Sequence, residues 1–375
     1  MTTVAVTGAG GLLGRALIAA LADPDTALGL HGGALSRLLA LDVLPEDALA
    51  ARLAPAAHPM LETVRRDVRD PDLAAALAGV DVLVHLAFQM DPIRDVAAMR
   101  AINVEGTANV MAAARAAGVG RVVYLSSVVA YGAHADNPTP IGEDHPLRGN
   151  AGFPYAEHKV AVEEALAPWL AADDRAGADR ADADTTADGP ALTVLRSAAV
   201  FGPGVQNFLS RVLELPVLPL LSDAPPPLQF VHVDDVVGAI VHALRHPIVG
   251  AYNVAPDGWL AFEDVLRAVG RRTVRLAPER ARALLAAAER TGLGELPAGA
   301  VDLFLHPWVL ANDRLRATGW RPLRTNEEAL LTAVAEHAGW VALGRLRVRR
   351  PALVAAGALA AALGLAAAAR RRRRA

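Results

Sequence analysis

The chain has 375 residues, 37 Lys plus Arg against 40 Asp plus Glu, a formal net charge of −3 and no cysteine. That length allows one large or two medium domains with a sizeable core, and the missing cysteine excludes a disulfide framework and fits a reducing cytosol. Residues 345–375 hold nine arginines and no acid, so the rest of the chain stands at −12 (−3 less nine positive charges), a poor surface for nucleic acid.

In chain order, Thr3 to Val6 reads as a short buried strand. It starts almost at Met1, so no leader peptide is expected. Gly8, Gly10 and Gly11 then allow a turn that other residues resist. From Leu12 the apolar positions Leu13, Ala16, Leu17, Ala20 and Leu21 are helical in period. A strand, a glycine turn and a helix leave free N–H groups at the helix start, a cradle for phosphate. The spacing Gly8-x-x-Gly11-x-x-Gly14 departs from the usual G-x-G-x-x-G fingerprint, and a plain tight turn is the competing reading. Asp23 to Ala34 reads as a loop and Leu35 to Leu41 as the second strand. Asp42 at its end can accept both ribose hydroxyls and repel a 2′-phosphate, which favours NAD over NADP. It lies 28 residues past Gly14, against about 20 in the usual pattern; a helix cap before Pro45 is the alternative. No arginine follows Asp42 closely.

Met60 to Arg66 is the third strand. It ends at Asp67, which offers a carboxylate to an adenine amine or serves a turn. Asp70, before Pro71, is a helix cap by type. Val80 to Leu86 is a fourth, nearly all-apolar strand, as expected when helices cover both faces; His85 within it reads as a satisfied core histidine. A long helix is expected from Pro92 to Ala117, stopped by Gly118 and carrying the polar Asn103. Arg121 to Ser126 is the fifth strand. These repeats predict an α/β fold with a doubly wound parallel sheet and ligand at the carboxyl ends of its strands.

Ser126 and Ser127 stand where the fifth strand ends. Tyr155 and Lys159, four residues apart, share one face of the next helix. Lys159 is the only lysine in the chain, which suggests a position that needs a compact, tunable ammonium. A free tyrosine has a pKa of about 10, and an adjacent ammonium favours the phenolate. A phenol tuned in this way can take or give the proton of a substrate hydroxyl, with Ser127 bonding the same oxygen. Residues 171–190 are small and acidic, and read as a disordered surface insertion. Ala191 to Arg196 returns to strand.

Taken together, these motifs resemble the extended short-chain dehydrogenase/reductases of the NAD-dependent epimerase/dehydratase type. The resemblance rests on Thr7-Gly8-x-x-Gly11-x-x-Gly14, Asp67-Val68, His85-Leu86-Ala87, Asn103-Val104-x-Gly106-Thr107, Ser126-Ser127-x-x-x-Tyr131-Gly132 and Tyr155-x-x-x-Lys159. Phe201-Gly202-Pro203-Gly204, Phe230-Val231-His232-Val233-Asp234-Asp235 and Gly319-Trp320-x-Pro322 extend it over roughly residues 3–335. It implies a Rossmann domain over 1–198, a smaller C-terminal substrate lobe over 199–340, and NAD as cofactor. Tyr131-Gly132 sets the frame that makes Ser127, not Ser126, the catalytic hydroxyl beside Tyr155 and Lys159. The cofactor-binding set it implies is Gly8, Gly11, Leu12, Leu13, Gly14, Asp42, Asp67, Val68, Leu86, Ala87 and Asn103, with Tyr155, and with Lys159 on the nicotinamide ribose. Asp234 and Asp235 read mainly as a helix start. A homodimer through the long helices is the family's habit, and no metal is expected.

The sequence departs from the sugar-nucleotide pattern in its lobe. Leu228 stands where an arginine usually precedes Phe230-Val231-His232, and residues 301–310 are largely apolar. Arg211, Arg314 or Arg316 is a possible substitute, and Asn207 a possible ligand contact. An apolar lobe favours a substrate with a hydrophobic body; plain lobe core is the alternative. Residues 341–375 form a basic, Ala-rich tail. Its apolar run 352–369 would make a helix of about 27 Å, against a bilayer core of about 30 Å, so a membrane anchor, a lipid-surface contact and a loose tail all stay open. The expected activity is hydride transfer between nicotinamide C4 and a secondary alcohol or ketone carbon of a small molecule, a sugar nucleotide or related compound. The alternatives are a hydroxysteroid-dehydrogenase-like enzyme acting on a membrane-soluble alcohol, and a non-catalytic NAD-sensing regulator.

Overall fold

The computed structural model describes every residue except 92, 94, 177–188, 292–295, 344–345, 350 and 352–375. Strand β1 (Thr2–Thr7) is buried on both faces: Val4 and Val6 point into one apolar core and Ala5 into the other, the alternation of an extended chain. Around it run β2 (Leu35–Asp42), β3 (Leu61–Arg65), β4 (Val82–His85), β5 (Arg121–Ser127) and β6 (Ala191–Ser197). The short lobe strands β7 (Ala199–Phe201), β8 (Val217–Leu220) and β9 (Phe230–His232) precede β10 (Gly250–Val254). The main sheet has seven strands in the order β10-β6-β5-β4-β1-β2-β3. Every pairing in it is parallel. The chain reverses direction across the sheet between β1 and β4, which opens a crevice at their carboxyl ends.

Helices α1 (Leu12–Ala22), α2 (Pro24–Leu28), α3 (Glu46–Leu53), α4 (Leu73–Ala76), α5 (Val96–Arg100), α6 (Gly106–Ala116) and α7 (Pro154–Ala176) follow in chain order. The short α8 (Phe208–Val212) and α9 (Val233–Arg245) come next. Leu17, Ile18, Val236 and Ile240 from α1 and α9 share the core on one face, and Val110, Met111, Val162 and Leu166 from α6 and α7 the core on the other. The lobe adds α10 (Phe262–Val269), β11 (Arg272–Arg275), α11 (Pro278–Arg290), a 3-10 turn (Ala298–Phe304), α12 (Asp313–Ala317) and α13 (Asn326–His337). Phe201 and Phe230 stack at 4.4 Å between β7 and β9.

Four expectations are corrected. Asp23 accepts from the Thr26 amide at 3.1 Å and starts α2 inside the expected loop. The long helix begins at Val96 and is divided by one π-helical turn (Ala101–Glu105) that carries Asn103. Asp70 does not cap a helix; it accepts from the Asp72 amide at 2.9 Å and pairs with Arg66 at 3.0 Å, and α4 starts three residues later, at Leu73. Trp340–Leu343 and Leu346–Arg349 form an antiparallel hairpin, β12 and β13, within the stretch read as tail. The Glu214 carboxylate is fully buried and clamps that hairpin, accepting from Arg347 at 2.5 and 2.9 Å and bonding His337 Nδ1 at 2.5 Å. The insertion 177–188 and the apolar run 352–369 lie outside the described residues. Among the described residues no helix is long and apolar enough to cross a membrane.

Candidate active site

The glycine loop leaves β1 at Thr7. Gly8 has φ +68°, and a Cβ there would sit 2.7 Å from the Ala87 nitrogen; one on Gly14 would sit 2.3 Å from the Gly8 carbonyl oxygen. Only glycine lets the turn pass this close to β4 and lets α1 seat on it. No side chain caps α1 at Gly11, and its first turn holds no acid, so the positive end of the helix is open to a phosphate.

Two cavities meet at this loop. One, of about 480 Å³, runs over the ends of β2 and β3 and is lined by Gly8, Gly11, Asp42, Asp67, Val68 and Ala87 among others. The other, of about 530 Å³, is lined by Gly8, Gly11, Leu12, Leu13, Gly14, Leu86, Ser127, Tyr155 and Lys159, with lobe residues opposite. Gly8, Gly11, Leu86 and Phe88 border both. A dinucleotide laid across the loop would have one half in each cavity and its phosphates at α1, so the residues present fit NAD.

The first cavity removes one alternative reading, that of Asp42 as a helix cap. Asp42 is half-buried, and its carboxylate accepts from the Gly10 amide at 2.9 Å and the Leu44 amide at 3.1 Å. It therefore braces the glycine loop and caps no helix. Although no arginine follows it in sequence, the fold brings Arg52 and Arg66 to the same cavity, from α3 and from the end of β3. Asp67 holds Arg69 through both oxygens, at 2.9 and 2.6 Å, and that guanidinium keeps its carboxyl below the usual range. Asn103 lies behind the cavities, not on their walls. It is fully buried, and its amide bonds the Gln89 backbone at 2.7 and 2.9 Å and His158 at 3.2 Å.

His85 is the core residue it was read as. Thr107 donates to the Asn103 carbonyl at 2.6 Å, so it accepts from His85 Nε2–H at 3.0 Å. His85 Nδ1 is then left to accept the Thr7 hydroxyl at 2.7 Å. Burial drives the ring's pKa down to about 3, which keeps this bonded chain neutral.

Strand β5 and helix α7 supply the polar centre. Ser126 Oγ donates to buried Glu163 at 2.5 Å, and Glu163 also holds Arg196 at 2.7 Å. Ser126 is thereby committed to the interior. Ser127 lies on the cavity wall with Tyr155, and its Oγ accepts from the Val129 amide at 3.4 Å. Lys159 is buried; its ammonium donates to the Leu125 carbonyl at 2.8 Å and Tyr124 Oη at 3.1 Å, over the Phe88 ring at 3.6 Å. It lies 5.9 Å from the centre of the Tyr155 ring.

Burial pushes the Tyr155 phenol up to about 12, with the neighbouring Ser127 hydroxyl opposing the rise. Burial pushes Lys159 down to about 7, with Glu163 opposing the fall. The expected lowering of the phenol by its helical neighbour is thus absent from this arrangement, because the amine faces Tyr124 and β5 instead. The sequence reading missed Phe88, Tyr124, Glu163 and the lobe's Trp308. Of these, Glu163 alone left a local trace, four residues beyond Lys159 on the same helix.

The chain matches the NAD dependent epimerase/dehydratase family over residues 4–255. It is 30% identical over 274 residues to an uncharacterized protein of Mycobacterium tuberculosis, covering 72% of this chain and 66% of that protein; it spans about two thirds of that relative's length. It is also 30% identical over 339 residues to a 3-diazoavenalumate denitrifying reductase from Streptomyces, covering 85% of this chain and 95% of the reductase. In fold it is similar to a dTDP-glucose 4,6-dehydratase from Streptomyces venezuelae crystallised with NAD, with a TM-score of 0.64, 23% identity, and 90% and 97% of the two chains covered. With the glycine loop, the two cavities and the Ser127, Tyr155 and Lys159 cluster, these matches identify the chain as a member of the NAD-dependent epimerase/dehydratase family, in the extended short-chain dehydrogenase/reductase class.

Proposed function

We propose that this enzyme moves a hydride between C4 of nicotinamide and the carbinol or carbonyl carbon of a small-molecule substrate, with Tyr155 as the acid/base. The observation that carries the reading is the meeting of Ser127, Tyr155 and Lys159 on one cavity wall beside the Gly8–Gly14 loop. NAD, when bound, supplies the hydride acceptor and a positive ring. The loop amides and the start of α1 would hold its diphosphate, Asp42 a ribose, Asp67 and Val68 the adenine side, and Lys159 the second ribose.

Tyr155 takes the proton from the substrate hydroxyl as the hydride departs from the carbinol carbon, and returns it in the reverse direction. Ser127 donates to the same oxygen and fixes its position between the two hydroxyl groups. A phenol near 12 is a weak base at neutral pH. Positive charge beside it lowers that value; Lys159 faces Tyr124 and the Leu125 carbonyl, so the charge that would lower it is that of the nicotinamide ring.

The test is Tyr155→Phe, followed by NADH absorbance. Turnover should fall by about 10²-fold or more, the usual scale of a lost acid/base, while NAD affinity stays within a factor of about two. Equal turnover in variant and wild type would exclude the assignment; no turnover in either, with NAD bound, would favour a non-catalytic NAD sensor. We also infer that two copies pair through the outer faces of α6 and α7, where Met111, Ala112, Ala165 and Trp169 line an open apolar groove.

A further inference from the structure

We infer that the substrate has an apolar, ring-sized body and no diphosphate, so the lobe is built for a hydrophobic secondary alcohol or its ketone, not for a nucleotide sugar. This rests on the hydride-transfer reading above and names the substrate class for that site.

The polar inventory of the cavity comes first. Among the described residues its only charged lining residues are Lys159, committed to β5 and Tyr124, and Arg15, on the first turns of α1 beside the loop. No cation among the described residues lines its lobe side. Arg211, Arg314 and Arg316 do not substitute. None lines the cavity, and each is matched by a carboxylate: Asp91 at 3.7 Å, Asp144 at 2.7 Å, and Asp257. Asn207 caps α8, accepting from the Ser210 amide at 2.8 Å and donating to the Val200 carbonyl at 2.9 Å. Among the described residues, a diphosphate placed in the lobe would find no cation and only the exposed Gln206 amide to replace its water, and an unmatched buried charge is strongly unfavourable.

The apolar inventory runs the other way. Met90, Val200, Phe208, Leu209 and Trp308 wall the lobe side of the cavity. Trp308 donates its indole N–H to the Leu303 carbonyl at 2.9 Å, so it presents only hydrocarbon. Leu209 and Trp308 also border a second space of about 50 Å³, and every residue lining that space is apolar, Leu228 among them. The apolar surface thus continues past the catalytic cavity into the lobe. A ring system fits those walls, leaving its one hydroxyl or carbonyl for Ser127 and Tyr155.

The experiment uses the full chain loaded with NAD and measures equilibrium binding of 1-(2-naphthyl)ethanol and 2-acetylnaphthalene against UDP-glucose and dTDP-glucose. The naphthyl probes should bind at least 10-fold tighter than either nucleotide sugar. Met90→Arg, at a half-buried wall position, should cut naphthyl affinity at least 10-fold and leave NAD affinity unchanged; Trp308→Ala should weaken the same probes. A thermal melt and NAD titration check that each variant is folded. Nucleotide sugars binding as tightly or tighter would overturn the substrate class, as would the absence of measurable binding by the naphthyl probes. Tight naphthyl binding with no hydride transfer under any condition would instead overturn the reaction and leave the substrate class standing. Sugar turnover abolished by Tyr155→Phe would do the reverse.

Discussion

Lys159 is the residue whose environment does most to set the chemistry. Its folded pKa is lowered to about 7 by burial, against about 10.4 in an unfolded chain. Between those values the unfolded state holds the extra proton, so stability rises with pH across the window, by up to about 1.4 kcal/mol per pH unit from this group. Below about pH 7 the folded protein carries a charged, buried amine and the penalty is complete. Replacing it by methionine keeps much of the apolar stem and removes the titration. The melting temperature of Lys159→Met should therefore lose most of the rise between pH 7 and 10 that wild type displays; an unchanged slope would move the effect to another group. The residue itself was legible because it is the chain's only lysine. Its direction was not legible: contact with Tyr124 and the Leu125 carbonyl depends on how α7 packs on β5, which four-residue spacing does not specify. Ser127 and Ser126 illustrate the same limit. Adjacent on one strand they point to opposite faces, and only the buried Glu163 shows which of them is spent.

At the scale of elements, the glycine turn and α1 behave as one unit. Gly14 belongs to the helix, yet a Cβ there would meet the Gly8 carbonyl at 2.3 Å and the Ala9 Cα at 2.6 Å. Both contacts are backbone, so neither can swing aside. Gly14→Ala should push the helix start off the loop and weaken NAD binding by at least 10-fold in a calorimetric titration. Wild-type affinity in that variant would mean that the cradle does not depend on this seating. Six of the seven strands of the main sheet were read to within about two residues because runs such as Val82–His85 are buried on both faces and leave no ambiguity of period; β10, which lies in the stretch read as lobe, was not read. The helix after β4 was read too long because its π-helical turn answers to Asn103, which turns inward to hold the Gln89 backbone. Likewise Arg52 and Arg66 join Asp42 only through α3 and β3. No window along the chain contains all three.

For the whole molecule, the family match and the sheet order agree with a dinucleotide fold over most of the chain. The lobe was legible only in outline, since its pieces are short and Trp308 reaches the cavity from the far end of the sequence. Pairing of copies belongs to this scale. Ala165→Arg places a charge in the groove between α6 and α7, where an opposing apolar face would have to bury it. Light scattering should report a dimer for wild type and a monomer for the variant; a monomeric wild type would refute the pairing.

The clamp on the C-terminal hairpin has a mechanical consequence. Arg347 grips Glu214, Glu214 grips His337, and His337 Nε2 reaches the Val205 carbonyl at 3.3 Å, while the neighbouring Glu336 receives the Gly204 amide at 2.9 and 3.0 Å. Gly204 and Val205 are themselves cavity wall. A displacement of the hairpin at Arg347 is therefore transmitted, bond by bond, to the cavity wall at Gly204 and Val205, which couples the position of the last described strand to the shape of the cavity.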